Sequence, residues 1–217
     1  MPSRPVPALA ALDDPVRRAV FDLVARSDTP VGRDAAAEAL GVSRRVAAFH
    51  LDRLADEGLL EFEFRRPEGR GGPGAGRPAK LYRRAAEEIA VSVPERHYEV
   101  VGALLAAAVT EAIDTGADVR ETLNRTAYSA GRAVGEQAEG LLPALTEAGY
   151  EPRPADDGDL VLGNCPFHRL AKQYTALVCG VNLHLLRGVT EGVGDPHVPV
   201  LDPAPGYCCV RLQRQSR

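Results

Sequence analysis

The stretch from Arg33 to Gly58 constrains this chain most: two short helical periods separated by Gly41-Val42-Ser43. Gly41 stops the first period and Ser43 is a good N-cap for the second, because its side chain can accept from an otherwise unpaired backbone N–H. A helix precedes them. It opens at Leu12-Asp-Asp-Pro, where Asp13 or Asp14 caps and Pro15 sits where its missing N–H costs nothing. Val16, Ala19, Val20, Leu23 and Val24 then recur at helical spacing until about Ser27, and Thr29-Pro-Val-Gly breaks the chain. Two short helices joined by a tight glycine-containing turn predict a helix-turn-helix.

The helix after Ser43 divides by face. Ala47, His50, Leu51 and Leu54 fall on one side and should pack on the preceding helices, while Arg44, Arg45, Ala48 and Phe49 fall on another, near the N-terminal end. A recognition helix reads bases with that end, and arginine is the commonest reader of guanine. Taken alone, this helix reads equally as a solvated amphipathic one. The segment from Leu59 to Arg84 decides between them. Leu59-Leu-Glu-Phe-Glu-Phe-Arg predicts a half-buried strand, Arg65 to Pro78 is a glycine-rich loop studded with arginine, and Lys80-Leu-Tyr-Arg-Arg predicts a returning strand. A helix-turn-helix succeeded by a hairpin with a basic tip is a winged helix, whose loop can lie along the phosphate backbone. The predicted DNA contacts are Ser43, Arg44, Arg45, Ala48, Phe49 and Arg53 on the helix, with Arg70, Arg77 and Lys80 on the wing.

Charge agrees with that division. The chain carries a formal net charge of −4, yet residues 1–84 hold 15 of its 26 Lys+Arg and 12 of its 30 Asp+Glu. The basic excess is local, and nucleic-acid recognition depends on local charge. Hydrophobic residues at 45% and charged residues at 26% are those of an ordinary globular protein. The longest clean apolar run, Ala103 to Val109, is too short to span a membrane, and Met1 to Ala11 does not read as a secretory signal. The expected location is the cytoplasm.

Ala85 to Val93 reads as a hinge. Pro94 to Thr115 predicts a long helix with Val100, Val101, Leu104, Leu105, Ala108, Val109 and Ile113 on one broad stripe; Asp118 to Glu139 predicts a second, and a short third includes Leu141, Leu142 and Leu145. The small residues of the first of these suit close helix packing. Because DNA half-sites favour two-fold dimers, this region is assigned to dimerisation, with an ordinary internal core as the other reading. From Gly149 the chain turns to strand and loop: a hairpin over Tyr150–Leu162 with an Asp157-Gly158 turn, helix to about Thr190, and a closing strand in Tyr207-Cys-Cys-Val-Arg-Leu.

All four cysteines, Cys165, Cys179, Cys208 and Cys209, come after the first 164 residues. Cys165-Pro-Phe-His168 has the two-residue gap at which a turn can aim two side chains at one metal, and a helix N-terminus beside Cys165 would favour its thiolate. A straight helix from Pro166 to Gly188 would hold Cys165 and Cys179 about 21 Å apart. A shared site therefore needs a break, expected at Gln173-Tyr174-Thr175 with Thr175 as cap. In an extended strand Cys208 and Cys209 face opposite ways, and Cys208 would share the inward face with Val210 and Leu212. The predicted ligands are Cys165, His168, Cys179 and Cys208. Buried free thiols behaving as small hydrophobes are the competing reading.

Three segments, Ala-Glu-Ala-Leu-Gly-Val-Ser-Arg-Arg (37–45), Phe-His-Leu-Asp-Arg-Leu-Ala-Asp-Glu-Gly-Leu-Leu (49–60) and Gly-Arg-Pro-Ala-Lys-Leu-Tyr (76–82), resemble ArsR-like winged-helix regulators. Asn-Cys-Pro-Phe-His (164–168), Leu-Val-Cys-Gly (177–180) and the late cysteines are similar to the SufR-type subgroup. SufR-type regulators control iron–sulfur assembly genes and carry an oxygen-sensitive iron–sulfur cluster on C-terminal cysteines; the resemblance implies DNA binding and such a cluster here, while the regulated genes do not carry over. The chain departs from the subgroup between Cys179 and Cys208, where no cysteine occurs and Val193 stands about where one is expected. Zinc on three cysteines and a histidine is the alternative.

The expectation is thus an α+β protein with a winged helix-turn-helix at 1–84, central dimerisation helices at 85–148 and a small cysteine-containing α+β domain at 149–217. It would be a homodimeric regulator, acting as a repressor on double-stranded DNA, whose affinity a cysteine-held cluster or metal modulates. The alternatives are a small-molecule effector with structural zinc or buried thiols, and an enzyme fused to a winged helix. No Ser/His/Asp or paired-carboxylate arrangement surrounds the cysteines, which speaks against the enzyme.

Overall fold

In a computed structural model describing residues 5–66, 78–86, 88–155 and 158–215, the chain forms two units, Met1–Val91 and Ser92–Arg217. The first contains α1 (Pro5–Ala11), α2 (Pro15–Ala25), β1 (Val31–Gly32), α3 (Arg33–Leu40), α4 (Arg44–Asp56), β2 (Leu60–Arg65) and β3 (Ala79–Arg84). The expected punctuation operates. Asp14 caps α2 by accepting from the Arg17 amide at 2.8 Å, and Gly41 ends α3 in the left-handed conformation at φ 64°. Ala47, His50, Leu51 and Leu54 are the buried residues of α4, packing with Val20, Val24 and Ala36. β2 and β3 form an antiparallel hairpin with Phe62 opposite Tyr82, and β1 adds to the other edge of β3. The sequence reading made Thr29–Gly32 only a break. Val31 instead pairs with Tyr82, a long-range contact that a two-residue strand does not announce. Arg70, Arg77 and the rest of the loop tip lie outside the described residues, as does Asp157 of the predicted hairpin turn.

The second unit contains α5 (Tyr98–Thr115), α6 (Val119–Gln137), α7 (Leu141–Glu147), β4 (Pro152–Pro154), β5 (Leu160–Leu162), α8 (His168–Gln173), α9 (Thr175–Val193), β6 (His197–Leu201) and β7 (Val210–Arg214). Its antiparallel sheet runs β4-β5-β7-β6, with β6 unanticipated from sequence. The division at 148/149 does not describe this unit: Val101, Leu104 and Leu123 share one core with Leu162, Leu186 and Leu212. The apolar stripe of α5 is largely used in that core, with Val101, Leu104 and Ala108 buried; its Val109 and Ile113 are exposed. Close helix packing also falls elsewhere than expected. Gly102 of α5 touches nothing, whereas on α6 and α9 a Cβ at Gly131 would lie 1.9 Å from the Leu185 carbonyl and one at Gly188 2.1 Å from the Tyr128 carbonyl. These two helices cross backbone to backbone.

Candidate functional site

Ser43 caps α4 by accepting from the Val46 amide at 3.2 Å, which fixes the exposed N-terminal end of this helix. The two arginines there are differently employed. Arg44 turns back to α3, where its Nε and Nη2 donate to the two carboxylate oxygens of Asp34, and this hydrogen bonding holds Asp34 below the usual carboxylate range. Arg45 is exposed and makes no ion pair among the described residues. One turn on, Phe49 is 62% exposed on the same side of the helix, with its ring edge-on to the buried His50 at 5.2 Å. Ala48 is half-buried, and Arg53 pairs with Glu57 at 2.5 Å.

The base of the hairpin is fastened to α4. Lys80 pairs with Asp52 and sits 3.9 Å above the Phe62 ring, while the Tyr82 hydroxyl donates to Asp52 at 2.7 Å. Burial acts to raise the Asp52 carboxyl, yet the bonds from Lys80 and Tyr82 outweigh it and hold the group below its ordinary value. Tyr82 is pushed up by burial and then by Asp52. Lys80 was expected to contact DNA; its ammonium pairs with Asp52 and so helps to set the hairpin against α4. Asp34, Asp52 and Tyr82 were missed because their partners lie 10 to 30 residues away in sequence.

The second group is the cysteines. α8 ends at Gln173 and α9 starts at Thr175, so the break that a common site requires is present. Thr175 does not cap α9: Tyr174 holds that position, and the Thr175 hydroxyl donates back to the Ala171 carbonyl at 2.7 Å. The thiols lie near one another: Cys208 acts on the titration of Cys165, and Cys209 on those of Cys208 and Cys179. Cys208 takes the inward face with Val210 and Leu212, at 3%, 1% and 0% exposure. Half-buried Cys209, the alternative to Cys208 as a ligand, lies near both Cys208 and Cys179. The Asn182 amide donates to Cys208 Sγ at 3.1 Å, and the buried Tyr150 hydroxyl bonds the Asn182 carbonyl oxygen.

These surroundings raise the titration of Cys165, Cys179 and Cys208. Cys165 is pushed well up by its bond to Cys208 and by burial, the reverse of the expected helix-terminus effect. For Cys208 the bond to Cys165 pulls down, but Cys209 and burial together carry it up to about 11. Burial raises Cys179, although its bond to Cys209 acts the other way. His168 is exposed at the start of α8 and is not part of the group. Among the described residues no group of three or more His, Cys, Asp or Glu side chains is arranged to hold a metal ion. Four soft sulfur donors suit a cluster or zinc, but they are not arranged as its ligands.

Residues 12–61 match the family model of a helix-turn-helix domain. The first unit carries a helix-turn-helix domain. The match takes in α2, α3, the turn at Gly41 and all of α4, the helix that presents Arg45 and Phe49. No curated protein and no solved structure matches the chain. Among the described residues no helix is long and apolar enough to cross a membrane.

Proposed function

We propose that this protein is a sequence-specific DNA-binding transcriptional regulator, acting as a homodimeric repressor, with the four-cysteine group as its regulatory element. The observation that carries the reading is the capped, exposed N-terminal end of α4 within a helix-turn-helix domain, presenting an uncommitted Arg45 beside Phe49. Such an end enters the major groove, where arginine can bond guanine O6 and N7 and an apolar ring can meet a thymine methyl. Dimerisation is assigned to the exposed Val109 and Ile113 of α5, since the rest of that stripe is largely used internally. A second copy fits because paired half-sites call for two-fold symmetry.

The test is binding to a random duplex pool, then titration of the selected sequence at several salt concentrations. A selected, palindromic site with an affinity that falls steeply with salt is expected. Equal affinity for all duplexes, or none for any, would sink the reading. The finer assignment of the cysteines to an iron–sulfur cluster, or alternatively zinc, rests on the resemblance and on the gathering of four sulfur donors. Anaerobic purification with iron, sulfide and zinc analysis tests it. A second reading, in which the cysteines are free thiols and a small molecule is the effector, is favoured by the burial of Cys165, Cys179 and Cys208.

A further inference from the structure

In the second unit a cavity of about 230 Å³ lies where α5, α6, α7 and α9 converge. Ten of its twelve lining residues are aliphatic or aromatic, among them Val100, Val134, Leu145, Phe167, Leu186 and Val189. The close contact of α6 with α9 fixes two of its walls, because Gly131 and Gly188 bring those backbones together and leave Val134, Leu186 and Val189 facing space. A wall made this way cannot collapse inward to fill the void.

The polar members of the lining besides the Tyr150 hydroxyl are His97 and the exposed Glu147. His97 is held between two carboxylates, with Nδ1 2.8 Å from Glu99 and Nε2 3.2 Å from Glu95. It packs on Gly149, where a Cβ would come within 2.8 Å of its ring. Three carboxylates therefore stand at or beside this part of the wall, which disfavours an anion. Opposite in character, Tyr150 and Phe167 meet edge to face at 6.5 Å and both line the cavity. The Tyr150 hydroxyl points away from simple apolar packing, into the Asn182–Cys208 hydrogen bonds.

We infer that this cavity is a binding site for a compact, uncharged apolar molecule of one or two fused rings. The inference deepens the small-molecule reading above and rests on it only for its regulatory meaning. Size supports it, since an apolar cavity of about 150 Å³ already takes up benzene. Occupancy would press on the Tyr150 ring, whose hydroxyl is two hydrogen bonds from Cys208.

Indole is a suitable probe because the chain contains no tryptophan. Its emission, excited beyond the tyrosine band, then reports the bound probe alone. Titration of indole with the full-length protein should give a saturable blue shift, and indole-3-acetate should bind at least about tenfold more weakly. Ala148→Leu and Val100→Phe, which add bulk at half-buried lining positions, should each weaken indole by about tenfold or more while retaining the native circular dichroism. Val119→Phe at the exposed start of α6, outside the lining, should bind as the parent does. No saturable shift, equal binding of the anion, or undiminished binding in a folded filled variant would overturn the site. Indole binding without DNA binding would leave the site standing and remove the regulator reading, and the converse would remove only the site.

Discussion

Arg44 and Arg45 are indistinguishable in sequence and differ in what surrounds them. Asp34 holds the first, while the second faces outward from a capped helix end. Arg45→Ala should lose about 1–3 kcal/mol on the selected duplex and relax preference at one base, measured by anisotropy titration at fixed salt. Arg44→Ala should lose less and leave base preference unchanged. Equal losses would mean that Asp34 releases Arg44 to DNA. Cys208 supplies a pH prediction. Its folded titration at about 11 lies above the ordinary 9.0, so the native state is favoured in full below pH 9 and loses that contribution as pH rises towards 11. Cys165 and Cys179 shift in the same direction. Denaturant unfolding under reducing conditions should show stability falling across this window, and less steeply in Cys208→Ser. A flat profile for the parent would show that the thiols are not held protonated.

Among the elements, the crossing of α6 on α9 is the most exacting. Gly131→Ala or Gly188→Ala forces a methyl into a facing backbone carbonyl and should cost about 3 kcal/mol or more, read as a lower urea midpoint. Gly102→Ala is the contrast. It lies inside α5 with nothing near its Cβ, so it should stabilise by about 0.5–1 kcal/mol through helix propensity. Unchanged stability in the first two would mean that the helices can separate at no cost. Helix ends were largely legible, because capping is local: Asp14, Gly41, Ser43 and Asp118 act within a turn or so of themselves. Pro94 did not start α5, which begins four residues later at Tyr98. The short strands β1 and β6 were not legible, since each depends on an edge supplied from elsewhere in the chain.

For the molecule as a whole, the cavity and the thiols belong to one unit and share Tyr150. Indole should therefore change the rate at which a soluble disulfide reagent modifies the cysteines, and Tyr150→Phe should uncouple the two while indole still binds. Identical rates with and without indole in the parent would show that the cavity does not act on the cysteines. Periodicity, capping and strand alternation were enough to place the helix-turn-helix, the outward face of α4 and the inward face of Cys208. Each of those signals acts over a few residues, so it can be read along the chain. Folding had to settle which arginine is free, that Lys80 serves Asp52, that His168 stands apart while Cys209 joins the cysteine group, and that the central helices and the C-terminal strands make one core. Those outcomes depend on partners tens of residues distant, chosen by packing and by the requirement that buried polar groups find one another.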